Sequence, residues 1–122
     1  MKKIVIAVSL LIWLISCVKK DDNVIQYAYM FPNPFSAQGT GLATFRVGFK
    51  QAVTNEQIAI TVYDLTYQVI WQNANTVTSN PFDISWGGEN NSGIVITPGI
   101  YIVKISLNGS LNGEEWFRII VN

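Results

Sequence analysis

Cys17 is the only thiol in this 122-residue chain, and it stands between an apolar run, Ile4 to Ile15, and the charged stretch Lys19-Lys20-Asp21-Asp22. A lone cysteine forms no internal disulfide and no thiolate zinc cage. The chemistry left to it is modification of one sulfur. Histidine is absent, which removes the commonest general base and metal ligand together. The serines have no imidazole to activate them, and no glycine-rich loop leads from a strand into a helix to hold phosphate. Adjacent carboxylates occur as Asp21-Asp22 and Glu114-Glu115. The second pair opens a strand-like segment, where neighbours point to opposite faces and cannot share a substrate. The stretch "GGENNSG" at residues 87–93 offers Glu89, Asn90, Asn91 and Ser92 as oxygen donors. Calcium takes about six to eight oxygens, and with one carboxylate this loop has the composition of a turn. The expectation is a protein without catalysis, cofactor or metal. Tyr27, Tyr29, Trp71 and Trp116 can stack on a sugar wherever they are exposed, although a small domain with six phenylalanines and five tyrosines needs most of its rings inside.

The setting of Cys17 gives that sulfur a use. Met1, Lys2 and Lys3 make a basic start, and the twelve residues "IVIAVSLLIWLI" contain only Ser9 as a polar member. A spanning helix needs about 20 apolar residues, so this run has the length of a signal-peptide core. The sequence Leu14-Ile15-Ser16-Cys17 then resembles a bacterial lipobox, with leucine at −3, a small residue at −1, and the cysteine that receives diacylglycerol before cleavage. That resemblance implies a signal peptide over residues 1–16, a lipidated cysteine and tether over 17–23, and one folded domain over 24–122. Membrane lipid, reached through acylated Cys17, is the first expected partner, because two or more acyl chains hold a protein stably to a bilayer. Lys19, Lys20, Asp21 and Asp22 serve as a solvated spacer; they also resemble the lysine-plus-acidic export signal of surface lipoproteins in bacteria that run type IX secretion.

Length and charge set further bounds. A chain of this size holds one domain. Without Lys2 and Lys3 it has six Lys/Arg against eight Asp/Glu, a net charge of −2. A weakly acidic domain with no basic stripe does not bind nucleic acid, which demands clustered cations to release phosphate counterions.

From Val24 onward, short alternating runs are separated by turn residues. Phe45, Val47 and Phe49 share one face of "ATFRVGF", and Ile58, Ile60 and Val62 share one face of "QIAITVYD". Tyr101, Val103, Ile105 and Leu107 do the same in "YIVKISL". In "EWFRIIV", Phe117, Ile119 and Val121 point inward while Trp116 and Arg118 point outward. With "IQYAYM", "YQVIW" and "FDISW" the strands number about seven. Pro32, Pro34, Gly39, Gly41, Asn80-Pro81, Gly87-Gly88, Gly93, Pro98-Gly99, Asn108-Gly109 and Asn112-Gly113 break the runs. The expected fold is all-β, a single Ig-like antiparallel β-sandwich joined by aromatic and aliphatic packing.

Four stretches carry a family resemblance: "MFPNPFS" at 30–36, "VYDLTYQVI" at 62–70, "ISWGGENNSG" at 84–93 and "PGIYIVKI" at 98–105. In this order they resemble the Ig-like domain of the flagellar hook-capping protein and its relative, the C-terminal sorting domain of type IX secretion cargo. The residues that match are Pro32, Asn33, Pro34, Phe35, Asp64, Trp86, Gly88, Gly93, Pro98, Gly99 and Tyr101. Each also has a physical reading. The prolines suit the start of an edge strand; Phe35 closes the end of the core; Asp64 caps free amides in a turn; Trp86 fills the sandwich. Gly87-Gly88 supply positive φ, and Pro98-Gly99 launches Tyr101 inward. The family's turn glycine is replaced by Thr66 or Tyr67, and its acidic residue after the tryptophan by Gly87.

The resemblance implies a non-enzymatic, lipid-anchored lipoprotein of the bacterial cell envelope, in the outer membrane, acting as a protein-interaction or assembly module whose sheet edges or end loops meet a protein partner. Two alternatives stand beside it: a type IX secretion sorting-type domain, and a carbohydrate-binding surface lipoprotein.

Overall fold

The computed structural model describes residues 22–39 and 41–122; Cys17, Lys19, Lys20 and Asp21, together with the expected signal peptide over 1–16, lie outside the described residues. Seven strands follow in order: β1 (Ile25–Phe31), β2 (Ala43–Phe49), β3 (Gln57–Tyr63), β4 (Val69–Thr76), β5 (Phe82–Trp86), β6 (Gly99–Leu107) and β7 (Glu114–Val121). They form two antiparallel sheets, β1-β2-β5 and β4-β3-β6-β7, and no helix occurs among the described residues. The fold is a β-sandwich. Its fourth strand stays beside β3 rather than crossing to the other sheet, which makes the layers three and four strands wide.

The alternation read from sequence is what the sheets bury. Phe45, Val47, Ile58, Ile60, Val62, Val103, Ile105 and Ile119 are fully inaccessible. Aromatic rings bridge the layers: Phe45 of β2 lies 5.8 Å from Trp86 of β5, 6.2 Å from Trp71 of β4 and 6.4 Å from Phe117 of β7, and Trp71 lies 5.6 Å from Trp86. Each ring buries a large apolar area, and packing of this kind adds about 0.5–1.5 kcal/mol per aromatic pair.

Two elements differ from expectation. β4 runs to Thr76, well beyond "YQVIW"; its second half, "QNANT", is polar and mostly exposed at a sheet edge. Pro32 and Pro34 follow the last residue of β1 rather than starting a strand. Lacking amide protons, they end pairing there, and the chain turns to run along the edge of β7.

Asparagine side chains finish the strands where backbone pairing stops. Asn33 accepts from the Ile120 amide at 3.0 Å and donates to the Arg118 carbonyl. Next to it, the Phe35 amide donates to the Ile120 carbonyl at 2.9 Å, and the Asn122 amide to the Phe35 carbonyl at 2.8 Å. At the other end of β7, Asn23 accepts from the Glu114 amide and donates to the Glu114 carbonyl. Asn80 does the same for both backbone groups of Phe49. Asn91 caps β4, its amide donating to the Ile70 carbonyl and its side-chain oxygen accepting from the Gln72 amide. A primary amide presents one acceptor and a donor group side by side, as a peptide unit does, so it can substitute for a missing strand.

The β3–β4 hairpin is tied by Asp64, whose Oδ1 accepts from the Thr66 amide at 2.8 Å, the Thr66 hydroxyl at 2.6 Å and the Gln68 amide at 3.0 Å. Tyr67 occupies the turn position that favours glycine, at φ 63°. A left-handed non-glycine residue costs about 1–2 kcal/mol. The Tyr67 ring meets Tyr63 and Trp116 edge-on at 6.1 and 6.5 Å, contacts that offset this cost. Asp64 is held below the usual carboxylate range chiefly by the Thr66 hydroxyl and then by the Gln68 amide. Asp83 is held below it by the Arg46 guanidinium.

Two outcomes follow for stability. Phe45→Ala, which removes the ring shared by both layers, lowers the unfolding free energy by roughly 3–5 kcal/mol in urea titrations. Asp64 and Asp83 both have depressed folded-state pKa values, so their stabilisation is present above the unfolded carboxylate value and lost as pH falls through the folded one. The unfolding midpoint therefore falls as pH drops below about 4, and the double change Asp64→Asn, Asp83→Asn flattens that fall.

Candidate functional site

The residues carrying the sequence motifs gather at one end of the sandwich, opposite Asn23 and Val24. Phe35 bridges to Val121 at the end of β7, and Val121 pairs with Gly99 at the start of β6. Phe35 is 2 % exposed and its ring lies 6.2 Å from Trp86. Gly88, at φ 79°, passes so close beneath that a Cβ there would lie 2.6 Å from the Ala37 Cβ. Gly93 also takes positive φ, at 81°; Gly87 is not among the positive-φ residues. Trp86 is 1 % exposed and donates from Nε1 to the Glu89 carbonyl at 2.9 Å. Pro98 precedes β6, and Tyr101 on that strand turns its hydroxyl back to donate to the Thr97 carbonyl at 2.6 Å. This bond pins the corner between β5 and β6 in the manner of a tyrosine corner. Phe35, Trp86, Gly88, Pro98, Gly99 and Tyr101 are thus brought together as a closure of the core. Asp64 sits apart in its hairpin, and Asp22 is exposed at the far end.

Two side-chain oxygens of the 87–93 loop are engaged in backbone hydrogen bonds. Asn90 Oδ1 accepts from the Ser92 and Ile94 amides at 2.9 and 3.0 Å, and Asn91 Oδ1 from Gln72. No cluster of three or more His, Cys, Asp or Glu able to hold a metal occurs among the described residues. Glu114 ion-pairs with Lys104 at 3.4 Å, while Glu115 accepts from Asn23, so the two carboxylates diverge.

A surface with binding character lies on the outer face of the four-stranded sheet. Trp116 of β7 is 47 % exposed and stacks on Tyr63 of β3 at 5.8 Å and 17°. Tyr67 closes the corner, 62 % exposed. The Lys104 ammonium stands 5.4 Å above the Trp116 ring, a favourable placement over the ring's negative face. Below them is an open groove of about 290 Å³ lined by Tyr67, Ile102, Trp116, Phe117 and Arg118. Ile100 and Ile120, directly paired across β6 and β7, extend the apolar area and are 47 % and 45 % exposed. Tryptophan, tyrosine and arginine on one face are the residue types that dominate protein-binding hot spots.

Of the four aromatics singled out in the sequence, Trp71 belongs to the core, at 8 % exposed, and Trp116, Tyr27 and Tyr29 are surface residues. Tyr63 and Tyr67 join Trp116 on this face, a role their own stretch of sequence does not state. The signal lies in β7: Trp116 and Arg118 occupy outward positions of an alternating strand, and any large ring at such a position has to find company from neighbouring strands or stand in water. A cleft of about 520 Å³ of mixed polar and apolar lining, bounded by Asp22, Val24, Lys50, Ser110, Leu111 and Asn112, lies at the end of the sandwich opposite the motif residues.

No protein-family model and no curated protein matches the chain. Among solved structures, it is similar to dimeric latent PorU from Porphyromonas gingivalis, at 23% identity and a TM-score of 0.64, over 77% of this chain and 9% of that one. It is also similar, at 18% identity and a TM-score of 0.49, to PorZ of the same organism, described as an essential bacterial surface component of the type-IX secretion system, over 78% of this chain and 11% of that one. The chain therefore spans about a tenth of the length of these much larger proteins. What it shares with the PorU segment is the fold.

Proposed function

We propose that this chain is a non-catalytic β-sandwich module of the type IX secretion kind, working in the bacterial cell envelope by binding a protein partner and held to the membrane through acylated Cys17. The ordered motifs from Pro32 to Tyr101 support the relation to sorting-type domains, and the fold shared with a PorU segment agrees with it. One observation carries the binding role: the Tyr63–Tyr67–Trp116 stack stands in solvent on a small domain that buries its other tryptophans of the described region, Trp71 and Trp86.

The proposed contact is through a sheet face and not through an edge. Asn33 and Phe35 cover one end of the β7 edge and Asn23 the other, while Asn91 covers part of β4. A partner strand added to β7 must displace these bonds. A partner set on the outer face of the four-stranded sheet keeps them and buries Trp116.

Deleting residues 114–122 is a poor test of a sorting role, because it takes Ile119 and Val121 out of the core. Exposed positions serve better. With a photo-crosslinking residue in place of Tyr67 in living cells, one envelope protein is captured, and adding Trp116→Ala cuts the yield at least tenfold, as expected for a hot-spot truncation of about 2 kcal/mol or more. Absence of any adduct, or capture indifferent to Trp116, overturns the reading. Intact-mass analysis showing an unmodified Cys17 removes the anchor while leaving the binding role standing.

A further inference from the structure

The second group of exposed aromatics is ordered differently from the first. Tyr27, Tyr29 and Phe31 occupy alternate positions of β1, all on the solvent face of the three-stranded sheet, and are 40 %, 42 % and 37 % exposed. Their rings form a row with nearly equal steps of 5.9 and 5.8 Å. Sheet pairing alone does not ask for this: β-branched residues serve an edge strand equally well and leave less apolar surface in water.

The neighbouring strand is fitted to the row. Tyr27 lies opposite Gly48, and a Cβ on Gly48 would fall 2.2 Å from the tyrosine ring, so the ring rests directly on the β2 backbone. Tyr29 lies opposite Arg46, whose guanidinium covers the Phe31 ring at 4.9 Å. Arg46 in turn forms a two-pronged bond with Asp83 of β5, both contacts at 2.8 Å. The arginine is held even more firmly protonated than usual by Asp83 and then by Tyr29. Arginine and aspartate neutralise one another, and the remaining outward groups of this face, Thr44 and Ser85, are hydroxyls.

We infer that this face binds a single extended chain of an uncharged polysaccharide, with successive sugar rings stacked along Tyr27, Tyr29 and Phe31. A pyranose presents a flat patch of C–H bonds of about the area of one aromatic ring, and an extended glycan repeats that patch in a row. The tyrosine and other hydroxyls and the Arg46–Asp83 pair border the row with donors and acceptors for sugar hydroxyls. The two charged residues on the strands of this face, Arg46 and Asp83, are paired with each other, which favours a neutral polymer over an acidic one. Neighbouring rings are tilted by 30° and 41°. Three rings that are not coplanar suit one soluble chain and do not lie flat together on a crystalline polysaccharide surface. The three-ring row, with centroid steps of 5.9 and 5.8 Å, accommodates a short run of sugar units.

The test uses the full chain in detergent, immobilised and exposed to soluble hydroxyethylcellulose, mixed-linkage β-glucan, xylan and galactomannan, with microcrystalline cellulose and polygalacturonate as contrasts. Saturable binding is expected for at least one soluble neutral polymer. Tyr29→Ala and Tyr27→Ala each weaken it at least tenfold, Gly48→Ala weakens it by lifting the Tyr27 ring, and Trp116→Ala on the opposite sheet leaves it unchanged. Unaltered melting temperatures for Tyr27→Ala and Tyr29→Ala show that the fold is intact. The inference is overturned by failure of every neutral polymer to bind, by preference for polygalacturonate or crystalline cellulose, or by binding insensitive to Tyr29→Ala. It is also overturned if the ladder variants lose a captured envelope protein while no polysaccharide binds, which makes the face a protein interface. None of these outcomes bears on the Trp116 face, so the two proposals fail separately.

Discussion

Contact between aromatic rings of the two sheets holds this domain together, and most other features follow from where those rings sit. Phe45 touches Trp71, Trp86 and Phe117, and Phe35 reaches Trp86 from the end of the core. With one cysteine in the chain no cross-sheet disulfide is possible. The unfolded state is therefore unconstrained, and the interior must supply the stability by packing and burial. The glycines and prolines of the motif end are subordinate to this packing: Gly88 clears space over Phe35 and Ala37, and Tyr101 fixes the corner that brings β6 back beneath them.

A sandwich this small has four edge strands, and each is a template for unwanted pairing. The repeated solution is the asparagine amide. On β7 and β4, Asn23, Asn33 and Asn91 meet backbone groups that would otherwise end unpaired, and Asn80 does so at the end of the central strand β2. The second half of β4 uses polarity instead, with Asn73 and Asn75 along its length. β7 and part of β4 are protected in these ways, and the exposed aromatics stand on the sheet faces in two separate groups with different order and different charge.

How much of this was legible in the sequence depended on whether a residue's role is set by its neighbours along the chain or across it. The seven strands and the inward residues of β2, β3, β6 and β7 follow from local alternation, and the structure has them. The polar half of β4 was invisible because an edge strand needs no apolar face. Asp64 was read as an amide cap from its place before a turn, and it accepts from two amides and a hydroxyl. The strand-mimicking amides of Asn23 and Asn33 act on residues more than eighty positions away, and nothing in their own surroundings announces it. The same holds for the aromatic groups: Tyr67 meets Trp116, and Tyr27 rests on Gly48, only because the sheets register as they do.

The arrangement resolves the tryptophans of the described region into two that hold the layers together and one that faces the surroundings. Acrylamide quenching of tryptophan fluorescence, in a Trp13→Phe background so that only Trp71, Trp86 and Trp116 report, tests that division most directly. The division predicts two populations, one readily quenched and one protected, with the quenched population abolished by Trp116→Phe. A quenched population that survives Trp116→Phe, or a single protected population in the parent, would contradict it.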